Sequence, residues 1–325
     1  MIFNAALWKE GLGDDAGAIA MWQRYIKDYP SRPDVPKIAF NIGLIYQRKQ
    51  EWKKVAETWA FYQRDYAKTA QPAQLFLARY NESQALRELR KEDPNVTFIY
   101  GELLRRFNAL PESERAGGPV IDAAAHARFA LLEPQFNEYM ALHFNYTKQS
   151  DIIYVLKIKN AKMSKLTDAY TDVIKYQSPL YSEAALTRLG EAYANFNHKL
   201  LEAPMPKGLT PDQEDLYRTT LENQALPLED KAVDAYEHAI ALSSKTGVYS
   251  DWTLRSQDDL KSYKPDAYGD LKKPAPVGAE ALATVSAQGQ QMKTQAPAET
   301  PTPATVPSAT PAVQGKQSGS GGDAQ

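Results

Sequence analysis

Two stretches of this chain coincide when one is slid along the other by 37 residues: Ala6 falls on Gly43, Trp22 on Trp59, Tyr25 on Tyr62 and Tyr29 on Tyr66. Within the second stretch, Pro36 to Tyr66, the residues Ala39, Ile42, Gly43 and Tyr46 recur at the i, i+3, i+4, i+7 offsets of one helical face, and Val55, Trp59 and Tyr62 mark a second face. Gln50 and Glu51 sit between the two as a turn. In the first stretch Gly11 and Gly13 break the chain at the corresponding place. Two helices this short cannot bury their apolar faces alone, so they must pack on each other and on neighbouring pairs. A chain so patterned is committed to an array of helical hairpins.

The spacing resembles the tetratricopeptide repeat (TPR), in which a large–Leu–Gly–Tyr face on a first helix packs against a small–aromatic–small face on a second. Here Val55 and Tyr62 stand in for the small residues, and Ala67 takes the place where the family often closes with proline. A later copy carries Leu186, Leu189, Gly190 and Tyr193 at the same mutual spacing, with Ala232, Tyr236 and Ala239 as its second face. Tyr46 to Val55 spans nine residues and Tyr193 to Ala232 thirty-nine, so about thirty are inserted in the later copy. Thr210, Pro211 and Gln213 give the insert its own helix near 211–225, through an N-cap, a first-turn proline and a capping box. The resemblance implies an all-α fold: an α-solenoid of TPR-like hairpins over residues 1–268, with clear repeats near 1–30, 36–69 and 183–242.

Between these copies the pattern loosens. Pro72 opens a helix through Arg90, Pro94 a second with an apolar stripe from Val96 to Phe107, and PESERAGG at 111–118 reads as a loop. Helical spacing resumes over Ile121–Leu132, from Phe136 to about Phe144, and from Asp151 to Tyr176, where Ser178-Pro179 ends one helix and starts the next. A mostly polar helix from Asp251 to Tyr263, with Trp252, Leu260 and Tyr263, suits the end of an array: one face covers the last repeat and one meets water. From Pro274 on there is no aromatic residue, seven prolines are scattered among small polar residues, and only five charges occur. Such a segment buries too little apolar surface to offset its ordering entropy, so 269–325 reads as a disordered tail.

Composition narrows the function. A net charge of −2 over 325 residues is not that of a general polyanion binder, so no nucleic-acid partner is expected. Cysteine is absent, which removes disulfides, thiolate metal sites and a cysteine nucleophile. No run of eighteen apolar residues occurs, so no bilayer-spanning helix is expected. No two of the histidines at 126, 143, 198 and 238 stand at i, i+4 beside a glutamate, as a helical zinc protease would require, and no phosphate-cradling or esterase motif occurs. Asp14-Asp15 and Asp258-Asp259 read as helix-start carboxylates, and Lys157, Lys159, Lys162 and Lys165 as a solvated basic helix face. No catalytic residue, metal site or cofactor is expected.

The layout from Lys162 to Tyr268, and in particular APMPKGLT at Ala203–Thr210, is similar to envelope-associated TPR proteins of deltaproteobacteria, among them components linked to gliding motility. That resemblance implies a scaffold in the periplasm or cell envelope, within a multi-protein complex. Met1–Leu12 lacks the basic start and long apolar core of a secretory signal. Met1 therefore reads as a late start or the cut end of a longer protein, and if it is the true start the location is cytoplasmic. The expected activity is binding of a protein or peptide on the concave face, lined by first-helix positions turned away from the core: Phe3, Asn4 and Leu7; Lys37, Phe40, Asn41, Leu44 and Arg48; Thr187, Arg188, Glu191 and Asn195. A carboxylate clamp is not expected, since Phe3, Leu7, Phe40 and Leu44 occupy the places where lysine and asparagine would be needed. The competing expectations are the solenoid part of a larger envelope enzyme, whose catalytic domain lies outside this sequence, and a structural spacer. Deleting 274–325 should leave the melting temperature and the helical signal per folded residue unchanged, with sharp, poorly dispersed proton resonances lost on truncation; dispersed tail resonances would contradict the disordered reading.

Overall fold

A computed structural model describes residues 2–91, 93–145 and 148–268. The tail expected over 269–325 lies outside the described residues. Among the described residues every regular element is helical, as the sequence requires. The first hairpin is α1 (Ile2–Gly11) and α2 (Asp15–Asp28), the second α3 (Val35–Arg48) and α4 (Trp52–Asp65). Then come α5 (Pro72–Leu89), α6 (Pro94–Ala109), the single turn α7 (Glu112–Arg115), α8 (Gly118–Ala130) and α9 (Glu133–Met140). The long helices α10 (Gln149–Ile174), α11 (Pro179–Leu201) and α12 (Pro211–Thr246) precede α13 (Asp251–Tyr263) and a closing turn, α14 (Pro265–Tyr268).

Local chemistry sets the boundaries. The Asp14 carboxylate accepts the Gly17 amide at 2.9 Å and starts α2. At α12 Thr210 and Gln213 form the reciprocal capping box that the sequence shows, and Gly247 at φ 71° closes the helix in the left-handed region. Gln50, also at positive φ, makes the turn between α3 and α4.

Among the described residues the buried side chains form five apolar clusters in chain order, each shared by helices close in sequence. One joins α1, α2 and α3; the next α3, α4 and α5; a third α5, α6 and α8. The largest spans α8 to α12, and the last joins α12 to α13. Two of the hairpins depend on a helix with no side chain at one point. A Cβ at Gly43 would lie 2.6 Å from two ring carbons of Trp59, and one at Gly190 would lie 2.5 Å from Cε1 of Tyr236. Ala6, the counterpart of Gly43, is buried in the cluster that holds Trp22.

The two N-terminal hairpins repeat in geometry as well as in sequence. Phe3 stands 5.0 Å from Trp22 and 5.7 Å from Tyr25 between ring centroids. Phe40, 37 residues on, stands 4.8 Å from Trp59 and 5.5 Å from Tyr62. The Tyr25–Tyr29 and Tyr62–Tyr66 pairs are both at 5.2 Å. Edge-to-face contacts of this kind favour one mutual orientation beyond the area they bury.

Three expectations need correction. The stretch 111–118 is not all loop, because Glu112–Arg115 makes one helical turn and α8 begins at Gly118. The helix expected to about Phe144 ends at Met140. The extra residues of the late hairpin do not form a separate helix near 211–225. They lengthen both arms, so that α11 runs on to Leu201 and α12 is continuous from Pro211 through Pro227 to Thr246. The proline removes one backbone donor, but Leu221 and Ala225 are buried in the cluster built on α11, and the Asn197 amide donates to the Ala225 carbonyl at 3.0 Å, tying α12 to α11 two residues before the proline.

Leucine at Gly43 or Gly190 should destabilise the fold by about 3 kcal/mol, since the ring opposite has no room to retreat. Urea midpoints unchanged in both variants would overturn the close-approach account.

Candidate partner-binding surface

The expected surface residues separate into two groups. On α3, Lys37 is exposed, Asn41 is half-buried and Leu44 is 40% exposed. Phe40 is not part of an open wall: its ring is held between Trp59 and Tyr62 of its own hairpin. Its counterpart Phe3 is held in the same way by Trp22 and Tyr25. Arg48 is exposed at its tip, but its Nη2 donates to Asp15 at 2.6 Å and so bridges the second hairpin to the first. Besides the exposed Lys37, the expected positions of the first helices leave an uncharged pair repeated at the 37-residue offset, Asn4 with Leu7 and Asn41 with Leu44.

The late group is built into the interior of the helix packing. Arg188 donates from Nη2 to Glu133 of α9 at 2.7 Å and from Nη1 to Glu191 at 2.6 Å. Its guanidinium lies 4.4 Å from the Phe136 ring centroid and 5.0 Å from that of Trp252, a cation held between two aromatic rings. Glu191 also takes Arg255 of α13 at 3.2 Å. Asn195 accepts Lys159 at 2.7 Å, and Thr187 is fully buried against Ser256 at 2.8 Å. These four side chains therefore do not line an open groove. Helices α9, α10 and α13 cover this side of α11, and the polar residues are the means by which they are joined.

Other polar residues prove structural too. Lys159 is fully buried, not on a solvated face; its ammonium donates to the Tyr139 and Leu142 carbonyls at 3.4 and 3.3 Å, besides Asn195, and so caps the end of α9. Lys162 pairs with Glu138 at 2.7 Å. Periodicity could have identified Lys159, because it falls on the apolar stripe Ile152, Leu156, Met163, Leu166, Tyr170 and Val173. Glu183, fully buried on α11, receives the Ser250 hydroxyl at 2.9 Å and the Thr253 hydroxyl, and thereby holds the first turn of α13. Asp258 and Asp259 lie in the second half of α13, not at its start, because Ser250 caps the helix earlier. Asp258 pairs with Lys261 at 2.6 Å, and burial raises Asp259 above its ordinary carboxylate value, against the lowering effect of its Tyr236 hydrogen bond.

His126 is buried where α5, α8 and α11 meet. Arg87 donates to its Nε2 at 3.3 Å, so its proton sits on Nδ1 and is given to the Tyr80 oxygen at 2.9 Å. Burial first, and then Arg87, push its pKa down to about 3, which keeps the imidazole neutral. Among the described residues no group of three His, Asp or Glu side chains is placed to hold a metal ion. No helix among them is long and apolar enough to cross a membrane.

One concavity was not legible in the sequence. It lies between α2 and α4 over α3, encloses about 380 Å³, and is walled by Ile26, Ala39, Ile42, Tyr46, Phe61 and Tyr66. No protein-family model matches the chain, and no curated protein matches it.

Burial pushes Lys159 down to about 8, with Lys199 adding to the shift. An unfolded lysine titrates near 10.4, so between these values the unfolded chain holds more protons and native stability rises with pH. Relative to Lys159→Met, the wild type should therefore gain up to about 3 kcal/mol between neutral pH and pH ~10. A difference in urea midpoints that stays flat across this range would show the ammonium to be solvated.

Proposed function

We propose that this chain is a non-catalytic interaction scaffold, a TPR-like α-solenoid that binds an extended peptide or a segment of a partner protein along the first helices of its N-terminal hairpins. The observation that carries this reading is the recurrence of Asn4–Leu7 and Asn41–Leu44, exposed or half-exposed and uncharged, on two hairpins whose aromatic cores repeat at the same offset. An asparagine amide both donates and accepts, so a row of them can pair with a peptide backbone of any sequence. Leucines in the same row offer apolar contact for alternate side chains. Apolar clusters that follow one another along the chain favour the solenoid arrangement, in which each pair rests on its neighbours. The likeness of residues 162–268 to envelope-associated TPR proteins favours a cell-envelope or motility complex as the setting.

A peptide selected from a random library against the full chain should lose at least about tenfold in affinity on Asn41→Ala or Leu44→Asp, with melting temperatures close to wild type. Phe40→Ala should instead unfold the second hairpin more easily, by about 3 kcal/mol. Selected peptides that bind both surface variants unchanged would sink the assignment.

A further inference from the structure

The turn α7, which the sequence presents as loop, borders a second concavity in the middle of the chain. It is enclosed by the end of α6, α7, the start of α8 and the end of α10, and holds about 570 Å³, the size of a small-ligand site. One side is apolar, with Ile121 beside Phe107 and Tyr176, whose ring centroids stand 5.4 Å apart. The other side carries Glu112, Arg115 and Lys175. Lys175 holds Asp172 at 2.8 Å, and Asp172 also takes Arg128 at 3.5 Å. Glu114 is turned away to accept the Ala73 amide at 2.6 Å. Arg115 has no such partner. It is half-buried, its Nε is shut off from solvent without a hydrogen bond, and no carboxylate among the described residues pairs with it. Glu112, one turn earlier, is exposed and stays outside ion-pair distance.

We propose that this concavity is a binding site for a carboxylate carried on a small apolar body, the carboxylate on Arg115 and the body against Phe107, Tyr176 and Ile121. A guanidinium keeps its proton in proteins, so the cost of burying it without a counter-ion is not relieved by neutralisation. An anion offsets that cost, and a carboxylate does so through two parallel hydrogen bonds to the planar fork. The charge balance sets the valence of the ligand. Arg115 and Lys175 face Glu112 across the wall, and Asp172 is cancelled by Arg128, so one positive charge is in surplus and a monoanion fits better than a phosphate dianion. The apolar side sets the rest, because two rings and an isoleucine gain only by burying apolar surface. This site shares no residue with the Asn–Leu row of α1 and α3, and its assignment is independent of the peptide-binding reading.

Titration of the full chain with 3-phenylpropionate tests this, followed on the Arg115 Nε–H resonance, which Arg115→Lys identifies by its disappearance. The resonance should shift saturably, with a Kd on the order of 1 mM for a ligand of this size. The uncharged 3-phenylpropionamide should bind at least about tenfold more weakly. Arg115→Gln, read on the Tyr176 ring resonances, should weaken the acid by the same factor with an unchanged melting temperature, and Glu112→Gln should tighten it by removing the like charge on the wall. A short peptide ending in phenylalanine, as free acid and as C-terminal amide, separates two sources of this chemistry: competition by the free acid alone assigns the site to protein C-termini, and no competition by either assigns it to small carboxylic acids. The absence of a saturable shift up to about 20 mM overturns the proposal, and so does equal binding of 3-phenylpropionate and its amide to the wild type.

Discussion

The contact on which the N-terminal and late hairpins both depend is an aromatic ring laid directly on a helix backbone. Trp59 occupies the space where a side chain on residue 43 would begin, and Tyr236 does the same at residue 190. Interiors are packed to the density of organic crystals, so a flat ring seated against a backbone fixes the separation and the facing of two helices together. Once Trp59 is placed, Phe40 and Tyr62 have only its edges and faces to meet, and their tilted and edge-on contacts follow. The residues 37 positions earlier make the same set of aromatic contacts, and Ala6 is buried in the same cluster. Because a Cβ in the place of Gly43 would lie 2.6 Å from Trp59, the Trp22 ring must be seated differently over the helix that carries Ala6, while the aromatic contacts around it recur.

This part of the fold was legible because its determinants are large, apolar and regularly spaced. Period and residue size are what a sequence displays directly. The helix starts at Ser178 and Thr210 were legible for a related reason, since a capping hydroxyl acts on amides only two or three residues away. The extra residues near 211–225 were recognised but misassigned. Counting from Tyr193 to Ala232 gives their number and says nothing of whether they stand between two helices or prolong them. That depends on Leu221 and Ala225 finding α11 to pack on, a tertiary contact that outweighs the proline at 227.

The polar residues of the late hairpin were misread for a different reason. Arg188, Glu191 and Asn195 look like a solvated face because charge and amide groups are most often exposed. Their burial depends on α9 and α13, whose arrival over α11 leaves no local trace in residues 186–195. The helices that cover them bring the complementary groups: Glu133 from one side, Trp252 and Arg255 from the other. Phe40 was misread in the opposite sense. An aromatic residue off the main packing stripe invites a binding role, yet a ring that size at the margin of a hairpin meets the second helix before it meets solvent.

The molecule thus uses two kinds of seam, and the difference bears on where a partner can be held. In the first two hairpins the interior is aromatic and aliphatic, and its polar bonds run to Glu10, Asp34, Gln74 and the Asp15–Arg48 pair, so asparagine on the outer positions of the first helices is left with hydrogen-bonding capacity to offer. In the late hairpin the corresponding polar positions are consumed in joining α9, α10 and α13 to α11, and removing any one of them would leave a buried charge or hydroxyl without its counterpart. Such a junction is costly to open, because every group released must be resolvated in register with the others. It suits a fixed end. Of the three sequence-similar repeats, the late one commits Thr187, Arg188, Glu191 and Asn195 to its own neighbours, whereas Asn4, Leu7, Asn41 and Leu44 of the first two stay exposed or half-exposed.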